Sequence, residues 1–235
     1  MRKVYLGLIT LILCFGVYAS ESSVYDFSWL DSDKEIYVLQ NRKFRKAQKV
    51  YIGGTLGKQV NGAFIDSYAV DLYAGYFFKE DWGIELSYTK ASGSENATHD
   101  SVQEQGSVAF YRKIDTATTA MLMWSPFYSK INTFNKIFYF DWLIGAGFSS
   151  IDTEDNRLKF TTVTDNTPTI ESNIAISWMT GLRFYISDSW STRIDFKAYH
   201  LNADRVGKPS GSSDATTEKK FSHYYNINFG LNYTF

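Results

Sequence analysis

Histidine, carboxylate and basic side chains are where chemistry would reside in this chain, and few of them fall in a useful pattern. His200 and His223 take the same parity on two alternating segments near the C-terminus, which places them close together on one outward rim. A histidine within reach of a serine could serve as the base in acyl transfer, the chemistry of lipid-modifying enzymes at an outer leaflet. The same-face neighbours of His200 are Ala198 and Asn202, and those of His223 are Phe221 and Tyr225, so that nucleophile is missing. A metal held by the pair would lack an obvious third ligand. His99 falls in a polar loop and is expected to be solvated. No Gly-rich phosphate loop, Gly-x-Ser-x-Gly elbow or His-Glu-x-x-His motif occurs. The expected set of catalytic, cofactor-binding and metal-binding residues is therefore empty, and no cofactor is expected.

Two groups of charges have a clearer pattern. Asp71, Glu85, Asp141 and Asp195 share an inward parity with Arg183, Arg193 and Lys197. Charges taken out of water need partners, so Asp71, Glu85 and Asp141 are expected to pair with Arg183, Arg193 and Lys197 in a salt-bridged network. Such a network reads either as a plugged core or as a narrow ion path. The second group is the basic run Arg42, Lys43, Phe44, Arg45, Lys46, preceded by an acidic stretch with Glu21, Asp26, Asp31, Asp33 and Glu35. It could grip anionic headgroups or a periplasmic protein, or it could be a linker that fixes where the first strand begins.

These residues need strands to position them. Period-2 runs bounded by turn residues fall near 49–59, 67–79, 82–91, 118–130, 136–149, 172–186, 190–201 and 221–235. One parity is oily in each: Tyr68, Val70, Leu72, Ala74, Tyr76 and Phe78 in the second run, Phe138, Phe140, Trp142, Ile144, Ala146 and Phe148 in the fifth. Glycines such as Gly53, Gly75, Gly145 and Gly181 fall on the other parity, leaving room for large inward neighbours such as Tyr73, Tyr139 and Tyr199. The connections 79–81, 131–135 and 187–189 are tight, whereas 92–117, 150–171 and 202–220 are long and polar. Short turns on one side and long loops on the other are the habit of membrane barrels, whose termini then both lie in the periplasm. The expected fold is all-β: an eight-stranded antiparallel up-and-down transmembrane β-barrel. Pro126 must sit at a rim or bulge, and 102–113 is either a short surface helix or an extension of the fourth strand.

Composition and the chain ends agree. Aromatic residues make up 17% of the chain while mean hydropathy is only -0.25, a combination suited to aromatic girdles on a barrel and not to helical membrane spans. The net charge of -1 gives no reason to expect nucleic acid. Arg2 and Lys3, the apolar run Val4 to Val17, and Val17-Tyr18-Ala19 read as a signal peptide cleaved after Ala19. Cys14 is then lost, and thiol chemistry with it. The expected domains are a signal peptide at 1–19, a periplasmic N-terminal extension at 20–48 and a barrel at 49–235. At the other end, Phe229, Leu231, Tyr233 and Phe235 form an oily stripe that ends the chain. This stripe resembles the C-terminal assembly signal of bacterial outer-membrane proteins.

Three further segments are similar to a known family: Ile36 to Lys46, Ser125-Pro-Phe-Tyr-Ser-Lys130, and Phe138-Tyr-Phe-Asp-Trp-Leu-Ile-Gly-Ala-Gly147, with Ser129 where a glycine is expected. They resemble a family of outer-membrane β-barrel domain proteins best known from myxobacteria and related predatory bacteria. The resemblance spans about residues 36–235 and implies an eight-stranded barrel. Some members are thought to belong to envelope-spanning or gliding-motility assemblies, and no catalytic residues come with the family.

Taken together, these features lead to the expectation of an integral outer-membrane barrel with a structural or partner-binding role and a lumen closed by side chains. A small-pore channel is the alternative, and an outer-leaflet lipid-modifying enzyme comes third. The expected partners are outer-membrane lipid and lipopolysaccharide, the barrel-assembly machinery and a periplasmic envelope protein.

Overall fold

The computed structural model describes residues 42–133, 136–156, 168–206 and 217–235. The proposed signal peptide and most of the N-terminal extension lie outside these residues. Eight strands follow in chain order: β1 (Lys49–Gln59), β2 (Ile65–Phe77), β3 (Trp82–Glu95), β4 (Arg112–Thr133), β5 (Lys136–Asp155), β6 (Thr169–Tyr185), β7 (Trp190–Val206) and β8 (Thr217–Thr234). Each pairs antiparallel with its neighbours, and β8 closes on β1 to complete an up-and-down barrel. At the seam Leu56 lies opposite Phe229 and Gly54 opposite Leu231. Closure satisfies every strand edge, which hydrocarbon requires because no water is there to pair a free amide.

The alternation in the sequence sets the two faces. In β2 every second residue from Ile65 to Phe77 is buried, and those between are exposed. Outward Leu72, Leu86 and Phe148 are 61%, 63% and 66% exposed, which is tolerable only for a wall that meets lipid. Outward aromatic pairs cluster where the short turns lie: Trp82 stacks on Trp124 at 5.9 Å, Phe127 on Trp142 at 5.8 Å, and Trp190 meets Tyr233 edge-on at 5.1 Å. This is the girdle expected at a lipid–water boundary, where a ring has one apolar side and one polar edge. Within the wall, large and small residues alternate across strands. Tyr51 lies opposite Gly75 and Tyr73 opposite Gly53, and a Cβ on either glycine would run into the tyrosine ring beside it.

Several strands run further than the hydrophobic alternation indicates. β4 begins at Arg112, six residues earlier, β7 reaches Val206, and β8 begins at Thr217. Beyond the lipid both faces of a strand are wet, so pairing continues while the oily-polar alternation fades. The 102–113 segment takes each of its two expected forms at one end, helix at 102–104 and strand at 112–113. A helix, α1, spans Ala97–Glu104, and β4 starts eight residues later. Pro126 sits in a register shift between Trp124 and Phe127, where a missing N–H costs the ladder nothing.

Candidate functional site: the charged interior and its plug

The inward faces bring most of the expected charge network together, with one different partner. The hub is Arg193 on β7. Its guanidinium grips Glu85 of β3 with two nitrogens, at 2.5 and 3.0 Å, while Nε donates to Asp195 at 2.6 Å. Its flat face lies over the Tyr73 ring, 3.9 Å from the centroid. Tyr51 donates its hydroxyl to the same Glu85 carboxylate at 2.8 Å. Towards the long-loop end, Lys197 pairs with Asp71, whose second oxygen accepts from Thr89. All these side chains are essentially excluded from solvent. A planar fork matches two carboxylates and a ring at once, which explains an arginine at the hub.

Arg183 departs from the expectation of a carboxylate partner. It lies beside Arg193 in the β6–β7 ladder, and its Nε and Nη2 have no hydrogen-bond partner among the described residues. It is held between rings instead, 4.6 Å from the Tyr51 centroid and 5.5 Å from that of Phe77. Asp141 stands opposite Arg183 on β5, yet its ion pair comes from elsewhere. Lys46 Nζ lies 2.7 Å from Asp141 Oδ2 and also donates to Ser125 Oγ at 2.6 Å. Tyr185 donates to the same Asp141 oxygen at 2.5 Å. The four inward carboxylates of the sequence pattern are thus held by three cations: Arg193 pairs Glu85 and Asp195, Lys197 pairs Asp71, and Lys46 pairs Asp141. Burial lowers the pKa of the Lys46 ammonium, and the Asp141 charge opposes that shift.

Lys46 reaches this position because the segment ahead of β1 folds into the barrel mouth. Arg42 donates to Asp81 in the β2–β3 turn at 3.2 Å. The Glu80 carboxylate accepts from the amides of Lys46 and Ala47, at 3.1 and 3.2 Å. Phe44 stacks on Tyr185 at 4.6 Å and meets Tyr139 edge-on at 5.3 Å. Gln48 adopts φ 61°, a left-handed turn that reverses the chain into β1. The five basic-run residues therefore do not share a face. Phe44 and Lys46 are buried at 7% and 3% and Arg42 is half-buried, while Lys43 and Arg45 are exposed. Arg42–Gln48, assigned from sequence to the extension, packs as part of the barrel.

Above this floor the interior stays filled. Met121, Met123, Leu143 and Met179 pack against Tyr51, Tyr73 and Phe77. Nearer the long loops Ile114, Ile151, Leu201, Tyr199 and Tyr224 form a second apolar cluster. Arg112 then bridges Asp155 and Glu171, at 2.7 and 3.2 Å, across that end. An eight-stranded barrel leaves an interior just wide enough for side chains to fill, and here they do.

The outward histidines meet as their parity implies. His200 and His223 are directly paired in the β7–β8 ladder, with their Nδ1 atoms 2.7 Å apart. Trp178 donates Nε1–H to His200 Nε2 at 2.8 Å, so His200 Nδ1 carries the proton that His223 accepts. Among the described residues no serine hydroxyl bonds either ring. His99 corrects its expectation: it is 3% exposed, because α1 folds its ring against Tyr111. The terminal stripe faces outward along the seam, with Phe229, Leu231 and Phe235 57%, 48% and 63% exposed.

A closed antiparallel ring of eight strands, oily outside and charge-paired within, defines a small transmembrane β-barrel. The chain belongs to the outer membrane protein beta-barrel domain family, whose family model matches residues 40–235. Its place is the outer membrane of the Gram-negative envelope. No curated protein matches the chain. Similar solved structures include the N-terminal β-barrel domain of Pseudomonas aeruginosa OprF, at TM-score 0.47 and 10% identity over 80% of this chain and 98% of that one. OprG from the same organism gives 0.47 and 14% over 82% and 98%. Ail, the attachment invasion locus protein of Yersinia pestis, gives 0.40 and 14% over 82% and 100%.

Proposed function

We propose that this protein is a sealed outer-membrane barrel that serves the envelope structurally and by holding a protein partner on its periplasmic side. The observation that carries this reading is the division of labour in the basic segment. Phe44 and Lys46 go into stopping the mouth, and Lys43 and Arg45 remain exposed beside it. Charges fixed at the rim by a buried neighbour form a preorganised contact, which lowers the entropy cost of docking an acidic surface. A filled interior, and a histidine pair that bonds no serine hydroxyl among the described residues, favour a non-enzymatic role over a channel or a lipid-modifying enzyme. The outward band would meet lipid and lipopolysaccharide, and the terminal stripe would be read by the assembly machinery. The narrower likeness to barrels of myxobacteria and predatory bacteria fits an envelope assembly and rests on the motifs around Phe44, Ser125 and Trp142.

Photo-crosslinking in cells tests the proposal. A crosslinker at residue 43 or 45 is expected to capture one specific periplasmic protein. The same group at buried position 44 should react within the barrel. Capture of lipid alone from 43 and 45 would leave the segment as a plug and strand-starter with no partner.

A further inference from the structure

We propose that Glu95, His99 and Asp100 form a zinc site at the long-loop end of the barrel. The three sit at the corner where β3 ends and α1 begins. Asn96 caps the helix, its side chain accepting from the amides of Thr98 and His99 at 3.1 Å each. Its own amide and side-chain nitrogen donate to Phe64 and Ala63 in the β1–β2 connection, at 3.1 and 3.2 Å. The corner is therefore anchored to a second part of the fold, and the direction of His99 is fixed.

That direction is the informative feature. The His99 side chain is 4% exposed, packed edge-on against Tyr111, yet its Nδ1 has no hydrogen-bond partner among the described residues. A buried ring nitrogen without a partner is costly and asks what it is for. It faces two carboxylate oxygens, Glu95 Oε2 and Asp100 Oδ1, each at 3.5 Å. The three donor atoms lie within 4.8 Å of one another. Zinc bonds of about 2.0–2.2 Å in a tetrahedron separate neighbouring ligand atoms by roughly 3.4 Å, the spacing seen for both nitrogen–oxygen edges. Only the oxygen–oxygen edge must shorten, and the Asp100 carboxylate, 65% exposed, can turn to shorten it. One imidazole and two carboxylates are borderline-to-hard donors, suited to zinc over copper(I) or calcium, with water completing the shell. A bound ion would tie β3 to α1 and stiffen the 96–111 connection that leads into β4.

Calorimetric titration of tag-free refolded protein in detergent with Zn²⁺, paired with Co²⁺ absorption, tests the assignment. One equivalent is expected to bind, with visible bands of tetrahedral Co²⁺. His99→Ala should weaken Zn²⁺ binding by about 10–100-fold, the range seen for losses in and around metal shells. Asp100→Asn lies at an exposed position, keeps the fold whatever His99→Ala does, and should also weaken it. The double variant His200→Gln, His223→Asn should bind as the parent does. Heat-modifiable migration on a gel verifies that each variant is folded. The proposal is overturned if the parent shows no saturable binding, if Asp100→Asn and a folded His99→Ala bind as tightly as the parent, or if binding is lost only with His200 and His223.

Discussion

Replacing Arg193 with methionine is expected to destabilise the barrel by about 3–5 kcal/mol, the cost of leaving buried charge without its partner. Arg193 is the cation that pairs Glu85 through two bonds and Asp195 through a third, and its guanidinium also covers Tyr73. Methionine fills much of the same volume, so the loss is chiefly electrostatic. Two carboxylates would remain in a space closed to water, beside Tyr51, which can pair with only one of them. Urea unfolding in lipid vesicles, followed by tryptophan fluorescence, measures the effect. Adding Glu85→Gln to Arg193→Met should recover part of the loss, because it removes one of the stranded charges. A change below about 1 kcal/mol for the single variant would mean that the interior holds water enough to screen the network.

Deleting Phe235 is expected to cut the amount of folded protein in the membrane several-fold, far more than a truncation at Ser20. The residue has two attachments. Its amide donates to Val50 at 3.0 Å, the last bond of the β1–β8 seam, and its ring meets Tyr233 at 5.0 Å in the outward girdle. Open edges do not survive in hydrocarbon, so a weakened seam affects closure itself. Phe235→Ala separates the two contributions by keeping the amide and removing the ring. Quantifying the heat-modifiable band in outer-membrane fractions gives the result. Equal yields for the two truncations would show that the terminal strand carries no special signal.

The barrel was legible because its wall is a two-faced object. In β2 and the oily part of β8 the parity of each residue fixes both its face and its neighbours, so Asp71 and Asn228 had to point inward and Leu72 and Phe229 outward. The same rule placed His200 beside His223 from sequence alone. It had nothing to say about Lys46, which precedes the first strand and has no parity. Lys46 entered the interior through a left-handed turn at Gln48 and the capture of its amide by Glu80, contacts between segments over thirty residues apart. Arg183 shows the opposite limit. Its face was right and its partner was not, because an arginine can be held by ring faces as well as by carboxylates, here those of Tyr51 and Phe77. His99 was misjudged because polar neighbours in a loop describe the surface of α1 and not the side turned to Tyr111. The length of strand beyond the lipid escaped notice because wet faces carry no alternation.

The central claim is that side chains seal this barrel from the Lys46–Asp141 pair at one end to the Arg112 bridge at the other. Conductance of the refolded full-length protein in planar bilayers tests it most directly. The expected record is a quiet membrane, without steady steps, at potentials where a porin conducts. Stable, voltage-tolerant porin-like conductance from a preparation shown to be folded would contradict the account.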